Sequence, residues 1–158
     1  MHCFRTNYFF VKDDAAFEEF MKQAGFTWEN RLLWSTQTAD GKEIPYAFGH
    51  PYMALDDFLR YNGYREDEWG DDYDAPYNLF LNELQKHIMS EDCVIIRSIS
   101  ARNTQPGYKM RSQFPDNISA NAMIVSPREI RFVSFMDTIE NTVHCMMGLE
   151  YDTIYDDG

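Results

Sequence analysis

The chain is short of several things, and each shortage removes a class of function. It holds three cysteines in 158 residues: Cys3, Cys93 and Cys145. An odd number at wide spacing is not a disulfide framework, so the fold is expected to rest on its core in a reducing, cytoplasmic setting. Cys93 opens the apolar run CVIIR and is expected to be a small buried hydrophobe. No apolar run approaches the roughly 20 residues that a membrane-spanning helix needs. The opening stretch MHCFRTNYFFVKDD lacks the long apolar segment of a secretory leader. Positive charge is scarce too, with 14 Lys and Arg against 26 Asp and Glu and a formal net charge of -12. A field of that sign repels phosphate backbones and anionic lipid, so neither nucleic acid nor membrane is expected as a direct partner.

Catalytic signatures are missing as well. No G-x-x-x-x-G-K-[ST] or G-x-G-x-x-G segment is present to cradle phosphates, and no G-x-S-x-G to carry a nucleophile. The four histidines are His2, His50, His87 and His144. The pairs His2-Cys3 and His144-Cys145 hint at zinc, but neighbours in a strand point to opposite faces, and a structural site needs four convergent ligands. His87, close to a helix end, suits the negative end of the helix dipole. No metal, cofactor or catalytic residue is therefore assigned, and enzymatic activity is not expected.

What the chain does have is apolar and aromatic mass. Hydrophobic residues make up 44% and aromatics 16%, enough for a sizeable core despite the charge. RTNYFFVKDD starts as a strand candidate. DDAAFEEFMKQAG places Phe17, Phe20, Met21 and Ala24 on one helical stripe, between a capping Asp13 and a terminating Gly25. Two β-like runs flank ADGK, whose Asp40-Gly41 is a hairpin signal. YMALDDFLRYNG makes a short helix with Met53, Leu55, Phe58 and Leu59 as anchors. PYNLFLNELQKHIM makes a longer one from Pro76, lined by Tyr77, Phe80, Leu81, Leu84 and Ile88. DCVIIRSIS, ANAMIVS, EIRFVSFM and NTVHCMMGLE read as strands, with turns at Pro106-Gly107, Ser126-Pro127-Arg128 and Asp137 to Asn141. Runs of strands and helices without strict alternation predict an α+β fold. It would be one domain over 1–158, a mainly antiparallel sheet with two or three helices packed on one face.

The most unusual segment is YREDEWGDDYDAPY, residues 64–77. It packs six carboxylates, Glu66, Asp67, Glu68, Asp71, Asp72 and Asp74, among Trp69, Tyr73 and Tyr77. Linkers are acidic without aromatics, and buried loops are aromatic without charge. Repulsion within such a cluster must be relieved by water, cations or a basic partner. No register supplies both the glycine and the terminal glutamate of an EF-hand loop. Aromatics of this kind anchor interfaces, and carboxylates around them steer a basic partner. Carboxylates in a row, extended through Asp56 and Asp57, can also imitate the phosphates of DNA. The expectation is thus a small protein-binding module, an inhibitor, adaptor or antagonist. It would meet a basic and even nucleic-acid-binding protein through Glu66, Asp67, Glu68, Trp69, Asp71, Asp72, Tyr73 and Asp74. The duller reading is a solvated loop whose Trp69 folds back onto the core.

Charge is unevenly spread. Arg97, Arg102, Lys109, Arg111, Arg128 and Arg131 face only Asp116 and Glu129 over the same stretch, while an acidic tail occupies 150–158. The basic stretch either neutralises the acidic loop or forms a separate surface. A different class of function follows from Arg102, Lys109 and Arg111: an enzyme or sensor that holds an anionic small molecule or nucleotide. The oligomeric state is left open by the sequence.

Overall fold

Among the described residues, alternation and helical spacing resolve into six strands and three α-helices. A computed structural model describes residues 2–36, 44–102 and 117–135, with only the backbone of 101, 102, 117 and 118. The strands are β1 (His2–Thr6), β2 (Leu33–Ser35), β3 (Tyr46–His50), β4 (Val94–Arg102), β5 (Asn117–Val125) and β6 (Ile130–Ser134); the helices are α1 (Asp14–Ala24), α2 (Leu55–Tyr61) and α3 (Ala75–His87). A short 3-10 turn at Glu66–Glu68 separates α2 from α3. The strands form one antiparallel sheet in the order β2-β3-β1-β4-β5-β6, so the fold is α+β as expected.

Local chemistry sets the ends of the elements. Asp13 caps α1 by accepting the Ala16 N–H at 2.9 Å, and Gly25 closes the helix at φ 100°, in the left-handed region. Pro76 sits in the first turn of α3, where its missing N–H costs nothing. Ser126 makes the β5–β6 turn, its hydroxyl oxygen accepting the N–H groups of Arg128 and Glu129. β2 and β3 pair in register, Leu33 with Phe48 and Trp34 with Ala47, while the Asp40-Gly41 turn lies outside the described residues. So do the Pro106-Gly107 turn, the Asp137 to Asn141 turn and the NTVHCMMGLE strand.

One face of the sheet is packed. Phe4, Phe48, Leu33, Val94, Ile96 and Val125 point to the helices and meet Phe17, Phe20, Met21, Phe58, Leu59, Phe80 and Leu84. Much of this core is aromatic: Phe26 lies 4.6 Å from Phe58 and 5.1 Å from Phe48, centroid to centroid. Thr6 is the one buried polar residue among those described, and its hydroxyl oxygen accepts the Phe48 N–H at 3.0 Å.

Three expectations shift. The first strand starts at His2, ahead of the RTNYFFVKDD run. The later residues of that run make single bridges, Phe9 to Tyr46 and Val11 to Ile88. Cys93 is half-buried and precedes β4, because Asp92 and Asn7 bond its backbone into the turn. His87 stacks on Phe20 at 4.9 Å with 4° between planes, so its ring is held by packing as well as by its place at the helix end.

Candidate functional site

The acidic segment connects α2 to α3 on the helical side of the sheet. It is a series of tight turns. Arg65 and Gly70 both take left-handed backbone, at φ 50° and 55°. A side chain at Gly70 would meet nothing within 4 Å, so backbone conformation rather than space favours glycine there. The turns fan the carboxylates outward. Glu66, Asp67, Glu68, Asp71, Asp72 and Asp74 are all exposed. The last three residues of 64–77 belong to the first turn of α3.

Only one of these six carboxylates is ion-paired among the described residues. Arg65 holds Glu68 with two bonds, at 2.6 and 2.8 Å. Asp72 accepts the Asp74 N–H at 2.9 Å, which shapes the turn without neutralising the charge. Every ion pair among the described residues joins groups at most four positions apart. Arg131 pairs with Glu129, and neither Arg97 nor Arg128 reaches the acidic segment. The arginines of the later strands therefore leave this loop unneutralised among the described residues.

The aromatics divide. Trp69 is half-buried, and its indole N–H donates to the Tyr64 carbonyl at 2.8 Å, so it braces the loop. Tyr73 is 69% exposed and lies under Arg60, whose guanidinium carbon is 3.9 Å from the ring centroid. Arg60 also binds Asp57 at 2.7 Å and Asp56 at 3.3 Å, and donates to the Tyr73 carbonyl at 3.3 Å. It ties the loop to α2. The i,i+3 and i,i+4 spacing of Asp56, Asp57 and Arg60 is visible in the sequence and could have signalled this clamp.

Beside the loop lies a cleft of about 320 Å³ between the start of α2, the start of α3 and the inner edge of the sheet. Asp56, Asp74 and Tyr77 line one side; His2, Ser98 and Asn121 line the other. Burial pushes the Tyr77 hydroxyl up to about 12, with the Asp56 charge adding to it. A neutral phenol beside two carboxylates suits an ammonium or guanidinium group. His2, Ser98 and Asn121 carry no motif, and only folding brings them here. Among the described residues no group of His, Cys, Asp and Glu has the geometry of a metal site.

The alternative anion site lies outside the described side chains. Arg102 ends β4 with its side chain undescribed, and Lys109 and Arg111 lie outside the described residues, as do His144, Cys145 and the acidic tail 150–158. Among the described residues no helix is long and apolar enough to cross a membrane. Comparison with protein-family models, with curated proteins and with solved structures finds no match to this chain.

Proposed function

We infer that this protein binds a basic protein through the acidic face built by residues 64–77 and the adjoining cleft. One observation carries the reading: five of six exposed carboxylates, Glu66, Asp67, Asp71, Asp72 and Asp74, have no cation within ion-pair distance among the described residues. Charges left in water at such density raise the encounter rate with a cationic surface. Tyr73, exposed and preorganised by Arg60, is the contact aromatic. Trp69 supports the loop from beneath, and a lysine or arginine of the partner enters the cleft between Asp56 and Asp74. A partner that normally holds nucleic-acid phosphates would meet the same sign of charge here, so the protein would act as an inhibitor or antagonist. Where the partner keeps its nucleic acid, it would act as an adaptor.

The test is affinity capture from the native source, repeated with Asp71, Asp72 and Asp74 changed together to lysine. Loss of a basic partner, with a flatter salt dependence of whatever binding remains, supports the reading. Capture with unchanged affinity and salt slope refutes it.

A further inference from the structure

The other face of the sheet carries no helix among the described residues, and its chemistry is opposite. Residues that alternate with the core positions point there: Arg5 on β1, Trp34 on β2, Gly49 on β3, Arg97 and Ile99 on β4. Strand register puts Gly49, Arg5, Arg97, Ala122 and Val133 in one row across five strands. Arg5 and Arg97 are thus direct cross-strand neighbours. Like charges in that position destabilise a sheet. Arg97 donates to the Thr6 carbonyl at 3.4 Å, but among the described residues no carboxylate pairs with Arg5, Arg97 or the adjacent Arg31.

Arg5, Arg31 and Arg97 line a cavity of about 580 Å³ together with Leu32, Trp34, His50, Pro51 and Ile99, and no carboxylate is among the described residues of its wall. Arg5 lies over the Trp34 ring, its guanidinium carbon 5.2 Å from the centroid. Arg31 is held at φ 61°, a backbone conformation that non-glycine residues seldom adopt. Gly49 lines the cavity, and a side chain there would come within 2.5 Å of the Phe4 carbonyl oxygen. The cavity therefore offers an indole, with Arg5 over one face, beside the apolar Leu32 and Ile99, and three arginines in its lining. Its volume lies in the range that small organic ligands fill.

We propose that this cavity binds a mononucleotide, its base against Trp34 and Ile99 and its phosphate between Arg5, Arg31 and Arg97. Forked guanidinium groups match phosphate oxygens in pairs, and an indole beside an arginine stacks on any base. The net charge of -12 argues for a compact anion rather than a long strand, since each further phosphate would enter the repulsive field of the whole molecule. The proposal is independent of the acidic face, which lies on the helical side, and it uses none of Arg102, Lys109 or Arg111.

The probe is AMP, added to the isotopically labelled full chain and followed by amide and indole resonances. Adenosine, inorganic phosphate and a short oligodeoxyadenylate are run beside it. The expected result is saturable movement of the Trp34 indole and of Arg5, Arg97 and Ile99. Adenosine and phosphate should each bind at least about tenfold more weakly than AMP, because each makes only half of the contacts. The Arg5→Gln/Arg97→Gln variant should bind AMP at least about tenfold more weakly while unfolding at a higher temperature, since the cross-strand repulsion is gone. Should that variant fail to fold, Arg97→Lys, which keeps the charge and loses the fork, should still weaken AMP binding. Absence of saturable shifts, shifts centred elsewhere, equal binding of adenosine, undiminished binding by the folded variants, or tighter binding of the oligonucleotide would each overturn the proposal.

Discussion

Replacing Arg60 by alanine should cost about 2 kcal/mol of stability and loosen the acidic loop, because one side chain holds several groups together. Its pairs with Asp57 and Asp56 measure 2.7 and 3.3 Å, but both carboxylates are about half exposed. Solvent screens such pairs to about 0.5 kcal/mol each. The contact with the Tyr73 ring at 3.9 Å is closer, and an arginine over an aromatic face contributes about 1 kcal/mol at a partly desolvated site. The side chain is only 17% exposed, so its methylene stem also packs. For a domain of this size the loss should lower the melting temperature by about 4 to 8 °C. Arg60→Lys should lose about half as much, since it keeps the charge and gives up the fork and the flat ring contact. Urea unfolding, followed by tryptophan fluorescence at low and high salt, separates the parts. High salt should remove the share due to the carboxylate pairs and leave the rest. A loss below about 0.5 kcal/mol, or one abolished completely by salt, would refute the view that Arg60 anchors the loop through Tyr73.

Gly49→Ala should destabilise by about 3 kcal/mol or prevent folding, because the new carbon would lie 2.5 Å from the Phe4 carbonyl oxygen and both belong to paired strands; chemical denaturation measures it. Trp69→Phe removes the bond to the Tyr64 carbonyl and should cost about 1 kcal/mol, read as a shift in the urea midpoint. Burial against Phe20 lowers the affinity of His87 for a proton, outweighing the opposite pull of Glu83 at 3.7 Å. The unfolded chain therefore takes up that proton first, so this share of stability is complete above the ordinary histidine value of about 6.5 and is lost as pH falls from there through the lower value of the folded state. The urea midpoint should drop between neutral and mildly acid pH, and His87→Phe, which keeps the stack, should reduce the slope; a slope unchanged in that variant contradicts the assignment. Some slope should remain from His50, which burial shifts in the same direction.

The fold was legible where one local rule acted at a time. Asp13, Gly25 and the Phe17, Phe20, Met21 stripe mark α1, and Ser126 with Pro127 marks the β5–β6 turn. The first strand was misplaced because RTNYFFVKDD has the composition of a strand, while sheet register begins at His2, whose neighbours on β4 lie nearly a hundred positions away. The acidic segment was legible as exposed charge. Its internal division was not, since Trp69 turning onto Tyr64 and Tyr73 lying under Arg60 depend on left-handed turns at Arg65 and Gly70. The opposite face was the least legible part. Arg5, Arg31, Trp34 and Arg97 are scattered through the sequence and become a group only through strand pairing.

The central claim is that repulsion within the acidic loop is left unrelieved in the free protein. Its most direct test is the unfolding free energy of Asp71→Asn/Asp72→Asn/Asp74→Asn against the parent as a function of salt. Asparagine keeps the side-chain oxygen that accepts the Asp74 N–H and removes only the charge. The variant should be more stable by about 1 kcal/mol at low ionic strength, with the gap closing near 1 M salt, where screening acts within about 3 Å. A variant less stable than the parent at every salt concentration would show that these carboxylates already have partners within the chain, and would contradict the account.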